Sequence, residues 1–257
     1  MWLLLSSLMA QILATAVETG FISLRENNYI FIFYLMFSNM KKVIFICLGF
    51  FTLLVCFWIG IRVFGIFNTY KNVSSANEPN LNTDQIVMAS NLKDAKKGEL
   101  IVVKTNGERC IYRLCALVGD KIEIKKGEVY LNDKLMSQNY DTQHSYNFSS
   151  KMYNELISSG KIKADNNIYT IGDEIHLEII DAVAKKAGIY QYRDVQLSTF
   201  QDEEIEKQWQ KKWNVDNFGP VMVPKDSFFV FGDNRNNARD SRYIGFIKRS
   251  DLLGVIL

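Results

Sequence analysis

Gly232-Asp233-Asn234-Arg235-Asn236-Asn237-Ala238-Arg239-Asp240-Ser241-Arg242-Tyr243-Ile244-Gly245 is the stretch on which the reading of this chain turns. The run Ser227-Phe228-Phe229-Val230-Phe231 leads into it. That run is short, aromatic and β-branched, which predicts a buried strand. Gly232-Asp233-Asn234 then ends the strand with turn chemistry. The loop beyond is dense in polar groups. A polar loop hung on a buried strand either caps its own backbone or serves a site. Asp240 and Arg242 stand two apart, so in extended chain they share a face. They can pair with each other or clamp a neighbouring loop, and the bare residues favour that structural role.

Composition narrows the remainder. The chain has 257 residues and a formal net charge of +2, which implies neither nucleic acid nor an acidic partner. That length holds one domain with a good core or two small ones. His144 and His176 have no cysteine or paired-histidine spacing around them, so neither a metal site nor a cofactor is expected. Four cysteines are too few for a disulfide scaffold. Cys47 and Cys56 lie in an apolar run. Cys110 and Cys115 fall on opposite faces of one strand-like segment and should not bridge.

Val43 to Ile61 carries no charge and is almost wholly apolar, long enough to cross a bilayer as a helix. Lys41-Lys42 precede it and Arg62 follows, and the lysines favour a cytoplasmic N-terminal side. A cleavable signal peptide shares the basic start and apolar run. This run is long for that role, continues as Val63-Phe64-Gly65-Ile66-Phe67 and lacks a small-x-small exit. The reading is therefore an uncleaved transmembrane anchor over residues 40–67. Residues 1–39 stay unassigned. Met1–Val17 and Tyr29–Phe37 are apolar but shorter, and Glu18, Arg25 and Glu26 separate them. Either this is an over-extended start upstream of Met40, or it is an extra membrane segment.

Asn68–Asn80 is a polar connector, after which β-rich runs begin at Gln85–Ala89, Glu99–Lys104 and Arg109–Leu117. Gly119-Asp120 turns into Lys121–Ile124, whose isoleucines share a face, and Lys126-Gly127 turns into Glu128–Leu131. These are the strands and short turns of a β-meander. The middle changes character. Ser150–Ser159 is helix-like, and Asp173–Lys186 has apolar residues at helical spacing (Leu177, Ile180, Ala184) closed by Gly188. Gln201–Trp213 is charged and also reads as helix. The expected fold is mostly β: an antiparallel core from residues 68–137 and 214–257, an α-rich cap inserted at 138–213, and one N-terminal transmembrane helix.

In this order the segments resemble type I signal peptidases, membrane-anchored serine endopeptidases that remove signal peptides from exported preproteins. Gly232-Asp233-Asn234-Arg235…Asp240-Ser241-Arg242…Gly245 resembles that family's Gly-Asp-Asn-Arg-x-x-Ser-x-Asp-Ser-Arg-x-x-Gly box. Ala76-Asn77-Glu78-Pro79-Asn80-Leu81 sits where the family has Ser-Met-x-Pro-Thr-Leu. Tyr112-Arg113-Leu114-Cys115-Ala116-Leu117-Val118-Gly119-Asp120 resembles its Lys-Arg-Val-x-Gly-x-Pro-Gly-Asp box. The resemblance runs from about Lys41 to Leu257, apart from the insertion. It implies a signal-peptidase-type β fold and a single-pass protein of the cytoplasmic (inner) membrane whose C-terminal domain is extracytoplasmic. It also implies contact with membrane lipid and with the signal-peptide region of exported preproteins, and no role for nucleic acid.

The departures fall on the chemistry. In the family the serine of the first box is the nucleophile and the lysine of the second is its base; here those positions are Ala76 and Tyr112. Such a dyad works because burial lowers the lysine pKa until the neutral amine can take the serine proton. The box serine that supports the lysine is Ala238 here, while Arg113, Asp233, Arg235, Asp240, Ser241 and Arg242 keep the frame. An alanine has no nucleophile, and a buried phenol is a poor base at neutral pH. Ser75 is the fallback nucleophile if a bulge re-aims it, although Tyr112 gives it no base and Lys104 is only the nearest lysine in sequence. Peptide is expected on a strand edge built from Asn77–Leu81 and Gln85–Ser90, with Asn77, Glu78, Pro79, Leu81, Ile86 and Met88 as contacts. Two functions compete: a signal-peptidase-family endopeptidase, and a catalytically inactive relative that binds exported peptides as an export or assembly chaperone.

Overall fold

The computed structural model describes residues 27–164 and 168–257, together with Gln11 and Thr15, and gives only the backbone for 27–39. Helix α1 covers Asn27–Val63. Its part from Met40 to Val63 is long and apolar enough to cross a membrane. The helix runs through Met40 without a break, so Met40 is not one of its ends. Apart from Gln11 and Thr15, the apolar segment Met1–Val17 lies outside the described residues. The anchor also stops earlier than the apolar pattern suggests. Phe64 to Phe67 leave the helix, and the side-chain amide of Asn91 donates to the Phe64 carbonyl at 2.7 Å. Residues 62–257 form a separate compact unit.

That unit is built on strands β1 Asn68–Lys71, β2 Ile86–Ser90, β3 Leu100–Thr105, β4 Glu108–Ala116, β5 Lys121–Lys125, β6 Glu128–Leu131 and β7 Lys134–Leu135. Then come β8 Gln143–Ser149, α2 Ser150–Ser158, β9 Tyr169–Ile171, β10 Glu174–Ile180, α3 Asp181–Ala187 and α4 Glu203–Trp209. The chain closes with β11 Phe218–Met222, β12 Ser227–Phe231, α5 Ser241–Ile244, β13 Ile247–Lys248 and β14 Leu252–Ile256. The seven-stranded sheet runs β1-β2-β14-β3-β4-β12-β13, and a four-stranded sheet runs β11-β5-β6-β7. Within these sheets the paired strands are antiparallel. Ile101, Val103, Leu114, Phe228, Val230 and Val255 interlock in the larger sheet's core. The Ser227–Phe231 run is the buried strand its composition predicts.

The insertion is where the periodicity misleads. Asp173–Lys186 is not one helix. Ile175, Leu177 and Ile179 are all buried, a period of two that belongs to β10, and only from Asp181 does the chain turn helical as α3. β10 pairs with both β8 and β9, so the cap holds a three-stranded antiparallel sheet alongside its short helices. Ser149 caps α2 by accepting from Met152 N, and Asp202 caps α4 by accepting from Glu204 N and Ile205 N. Gln201–Trp213 is helical only over the part that cap starts, Glu203–Trp209.

Candidate active site

The turn that carries Ala76 is a short 3-10 segment, Ser75–Asn77, capped by the Ser74 hydroxyl accepting from Ala76 N at 3.0 Å. The Ala76 carbonyl accepts in turn from Asn234 N at 3.0 Å, which fastens this turn to the loop after β12. Gly232 lies at the junction. A methyl group there would collide with the Ala238 Cβ and stand 2.5 Å from the Ala76 carbonyl oxygen. Ala76, Gly232 and Ala238 are therefore packed to contact. Tyr112 reaches the same place from β4 and donates its hydroxyl hydrogen to the Arg239 carbonyl at 2.8 Å. So the fold gathers Ala76, Tyr112 and Ala238, all buried, from three distant parts of the sequence.

This cluster has no acid–base pair. Burial pushes the Tyr112 phenol far above its ordinary range, and the nearby Cys110 and Asp240 push the same way. Its one proton is already given to a carbonyl. Ser75 is half-buried, and its hydroxyl oxygen accepts from the Asn237 side-chain amide at 2.8 Å. Among the described residues no lysine or histidine is bonded to it. Lys104 is exposed on β3 opposite Arg109. Ser75 therefore has a hydrogen-bond partner but no base.

The surrounding frame is charged and closed. Asp233 is fully buried and takes Arg113 on both carboxylate oxygens, with Nε at 3.0 Å from Oδ1 and Nη2 on Oδ2. Asn80 adds a third donor to Asp233 at 2.9 Å, and Arg113 also donates to the Gly98 carbonyl at 2.9 Å. Asp240 accepts from Gly232 N at 3.1 Å, Arg242 N at 3.1 Å, Arg242 Nε at 2.9 Å and Arg242 Nη2 at 2.8 Å. Such bidentate, multiply bonded pairs are the buried ion pairs that survive desolvation. Ser241 accepts from Val230 N at 2.9 Å and ties the loop back to β12. Arg235 joins this network only through its backbone, its carbonyl accepting from Arg242 Nη2 at 2.6 Å, while its guanidinium stacks on the Phe231 ring at 4.6 Å.

The peptide edge expected from Asn77–Leu81 and Gln85–Ser90 is not a free edge. β2 is paired with β1 on one side and with β14 on the other. The C-terminal strand takes that place through a long-range pairing that local sequence does not announce. Leu81 is core, packed with Val87, Val102 and Ile111. Asn77 is buried, donating to the Ile111 carbonyl at 2.6 Å. Glu78 accepts from the Thr83 hydroxyl at 3.0 Å, Pro79 follows a cis peptide bond, and only Ile86 and Met88 present exposed side chains. Open backbone occurs elsewhere. Along β4, β12 pairs only with Arg113–Ala116, so among the described residues Glu108–Tyr112 has no strand partner on its side away from β3, although Asn77 takes the Ile111 carbonyl. β1 is an edge of the sheet, and the two approach each other where the Arg109 guanidinium lies 6.0 Å from the centre of the Tyr70 ring. Asn80 and Asn237 lie inside the quoted boxes without a role of their own in the sequence reading, and Tyr70 and Arg109 were missed, since nothing in their spacing links them to this place.

The comparisons agree with this architecture. Residues 43–257 match the family model for signal peptidase, peptidase S26. Signal peptidase I of Buchnera aphidicola subsp. Acyrthosiphon pisum is 29% identical over 157 residues, covering 56% of this chain and 46% of that protein. Signal peptidase I of Bacillus amyloliquefaciens is 24% identical over 164 residues, 63% of this chain and 57% of that one. Signal peptidase I P of Bacillus subtilis subsp. natto is 25% identical over 202 residues, 76% and 77% of the two chains. The chain thus spans about half the length of the first two relatives. With a family model matched from the membrane-spanning helix to Leu257, and with that family's box loop folded around three converging positions, this chain belongs to the signal peptidase family, peptidase S26.

Proposed function

We propose that this chain receives the signal-peptide region of exported preproteins, as its family does, and holds it without hydrolysing it. The observation that carries the second half is the packing of Ala76 against Gly232 and Ala238, with the Tyr112 hydroxyl turned onto the Arg239 carbonyl. Neither a nucleophile nor a base stands there, and acyl transfer by a serine needs both. The first half is supported by the open backbone of Glu108–Tyr112 and of β1. An extended peptide can add to such an edge through main-chain hydrogen bonds that need no catalytic side chain. In this reading Met40–Val63 anchors the chain in lipid, and Lys41-Lys42 keep its N-terminal side in the cytoplasm with the β unit outside. Protease added to spheroplasts should then digest the chain beyond Asn68, and full protection would reverse the orientation.

The test of function uses the full chain in detergent with a fluorescent exported preprotein. The expected result is saturable binding and no shortening. The variant Ala76→Ser, Tyr112→Lys, Ala238→Ser should gain cleavage after small residues, whereas any one of the three changes alone should not, because the members act as a unit. Shortening by the unaltered chain, abolished by Ser75→Ala, would make Ser75 the nucleophile. A folded triple variant that neither binds nor cuts would remove the peptide groove from the account.

A further inference from the structure

Lys104 and Arg109 stand directly opposite each other across the β3–β4 hairpin, and both are exposed. The register makes them the closest kind of cross-strand pair. Leu114 N donates to the Glu99 carbonyl at 2.9 Å, while Asn77 takes the Ile111 carbonyl from the other side. Even-numbered residues of β4 therefore turn their main-chain groups toward β3, and odd-numbered ones turn theirs away. Arg109 and Lys104 are thus a pair with no hydrogen bonds between their main chains, in which Cα atoms lie about 4.5 Å apart and side chains stand closest. Like charges placed directly opposite in this way repel.

No acid of the chain relieves the repulsion. Neither side chain has an ion pair or a hydrogen bond among the described residues. Glu108 is next to Arg109 in the chain, but alternation sends its side chain to the other face of the sheet. Asp84 is held by Lys71 at 2.7 Å. Asp251 precedes Leu252, which stands opposite Val103, and its bond among the described residues is to the Ser250 hydroxyl at 3.4 Å.

The two cations sit where an extended peptide would lie. The N–H and carbonyl of Arg109 point out from the unpaired stretch Glu108–Tyr112, and its guanidinium reaches toward the Tyr70 ring on β1, the other open edge. A residue added opposite Arg109 shares its face, so its side chain meets the guanidinium with Lys104 beside it. We propose, on the strength of the peptide-binding reading above, that this edge selects a peptide bearing a carboxylate side chain, Asp or Glu, at the position opposite Arg109. The planar fork of Arg109 takes the carboxylate, and Lys104 adds a second charge. Selection is by charge, so a neutral residue there binds less well and a basic one is repelled. A lipid phosphate would answer the charge but not the open main chain next to it.

The test uses the full chain in neutral detergent and a fluorescent synthetic peptide from the signal-peptide region of one exported preprotein. One residue is replaced in turn by Glu, Gln or Lys, and the replacement is moved along the peptide one position at a time. At one position Glu should bind about three- to tenfold more tightly than Gln, and the preference should vanish at the two neighbouring positions, whose side chains face the other way. Lys should bind most weakly there, and the spread should shrink in high salt. Arg109→Gln should cut the Glu-over-Gln ratio to about twofold or less. Arg109→Glu should turn the preference toward Lys. Saturable binding that ignores the charge of the residue, or a Glu preference that Arg109→Gln leaves intact, would overturn this inference and leave peptide binding standing. If no peptide binds at any charge, the peptide-binding reading falls and the selection falls with it. If charge does not affect peptide binding and Arg109→Gln instead weakens retention on phosphatidylglycerol vesicles, the pair serves a lipid surface and the inference is wrong.

Discussion

Two parts of one small region have been treated differently. The ion pairs Arg113–Asp233 and Arg242–Asp240 are intact and buried, while Ala76, Tyr112 and Ala238 are neutral. The first set cannot be dismantled piecemeal, because removing either partner strands a charge in the interior. The second set is closed without charge: two alanines pack on Gly232, and a phenol satisfies a carbonyl. A buried lysine at position 112 without its hydroxyl partners would carry a desolvation cost and bring nothing in return. The contrast teaches that a scaffold of buried ion pairs can persist around a neutral cluster, and under the proposed function that cluster marks chemistry given up as a set.

The comparison can be broken at four points, from large effects to small. Arg242→Ala leaves Asp240 buried with its charge unpaired and should cost about 3–5 kcal/mol, read as a lowered melting temperature. A small loss would mean that the frame is no more constrained than the neutral trio. Gly232→Ala forces a methyl against Ala238 and the Ala76 carbonyl, and should cost about 1–3 kcal/mol by denaturant unfolding. If that substitution is silent, the three positions are not packed to contact. Tyr112→Phe removes one donor to the Arg239 carbonyl and should cost only about 1 kcal/mol. A much larger loss would assign the phenol a role beyond that hydrogen bond.

The smallest effect is in pH. Burial lowers the His144 pKa below its ordinary 6.5; Asp181 opposes this, and Arg235 and Arg193 add to the lowering. Between the lower folded value and 6.5 the unfolded chain binds more protons, so stability is full above that window and falls as the pH drops through it. Asp181 is opposed by burial but held below 3.8 by His144, Thr142 and Tyr146, so its contribution is lost only in stronger acid. Urea midpoints measured between about pH 7.5 and 5.5 should decline, and His144→Gln should flatten the decline. An equal slope in both chains would place the titrating group elsewhere.

Much of the β core was legible because it is written locally. The Ser227–Phe231 run and the Asp240/Arg242 spacing are short-range signals, and the turns at Gly119-Asp120 and Lys126-Gly127 punctuate real strands. The insertion was harder, because Leu177 and Ile180 lie at a helical interval by chance while they sit in a strand. The pairing of β2 on both sides was hidden for a different reason. Whether β2 is an edge depends on β14, some 160 residues later, and no local pattern contains that fact. The pairing of Arg113 with Asp233 and the unpartnered edge of Arg235 are likewise products of long-range closure.

The place of β14 in the sheet also sets an order of events during synthesis. It sits between β2 and β3, in the interior of the seven-stranded sheet, though it is made after every other strand. Until residues 252–256 have been made, β2 and β3 each present an unpaired edge, with apolar Ile101, Val103 and Val87 ready to find other partners. The growing chain thus spends most of its translation with this sheet open, and closes it only when residues 252–256 slot in. Quality control of the nascent protein would then have one late checkpoint, the arrival of five residues.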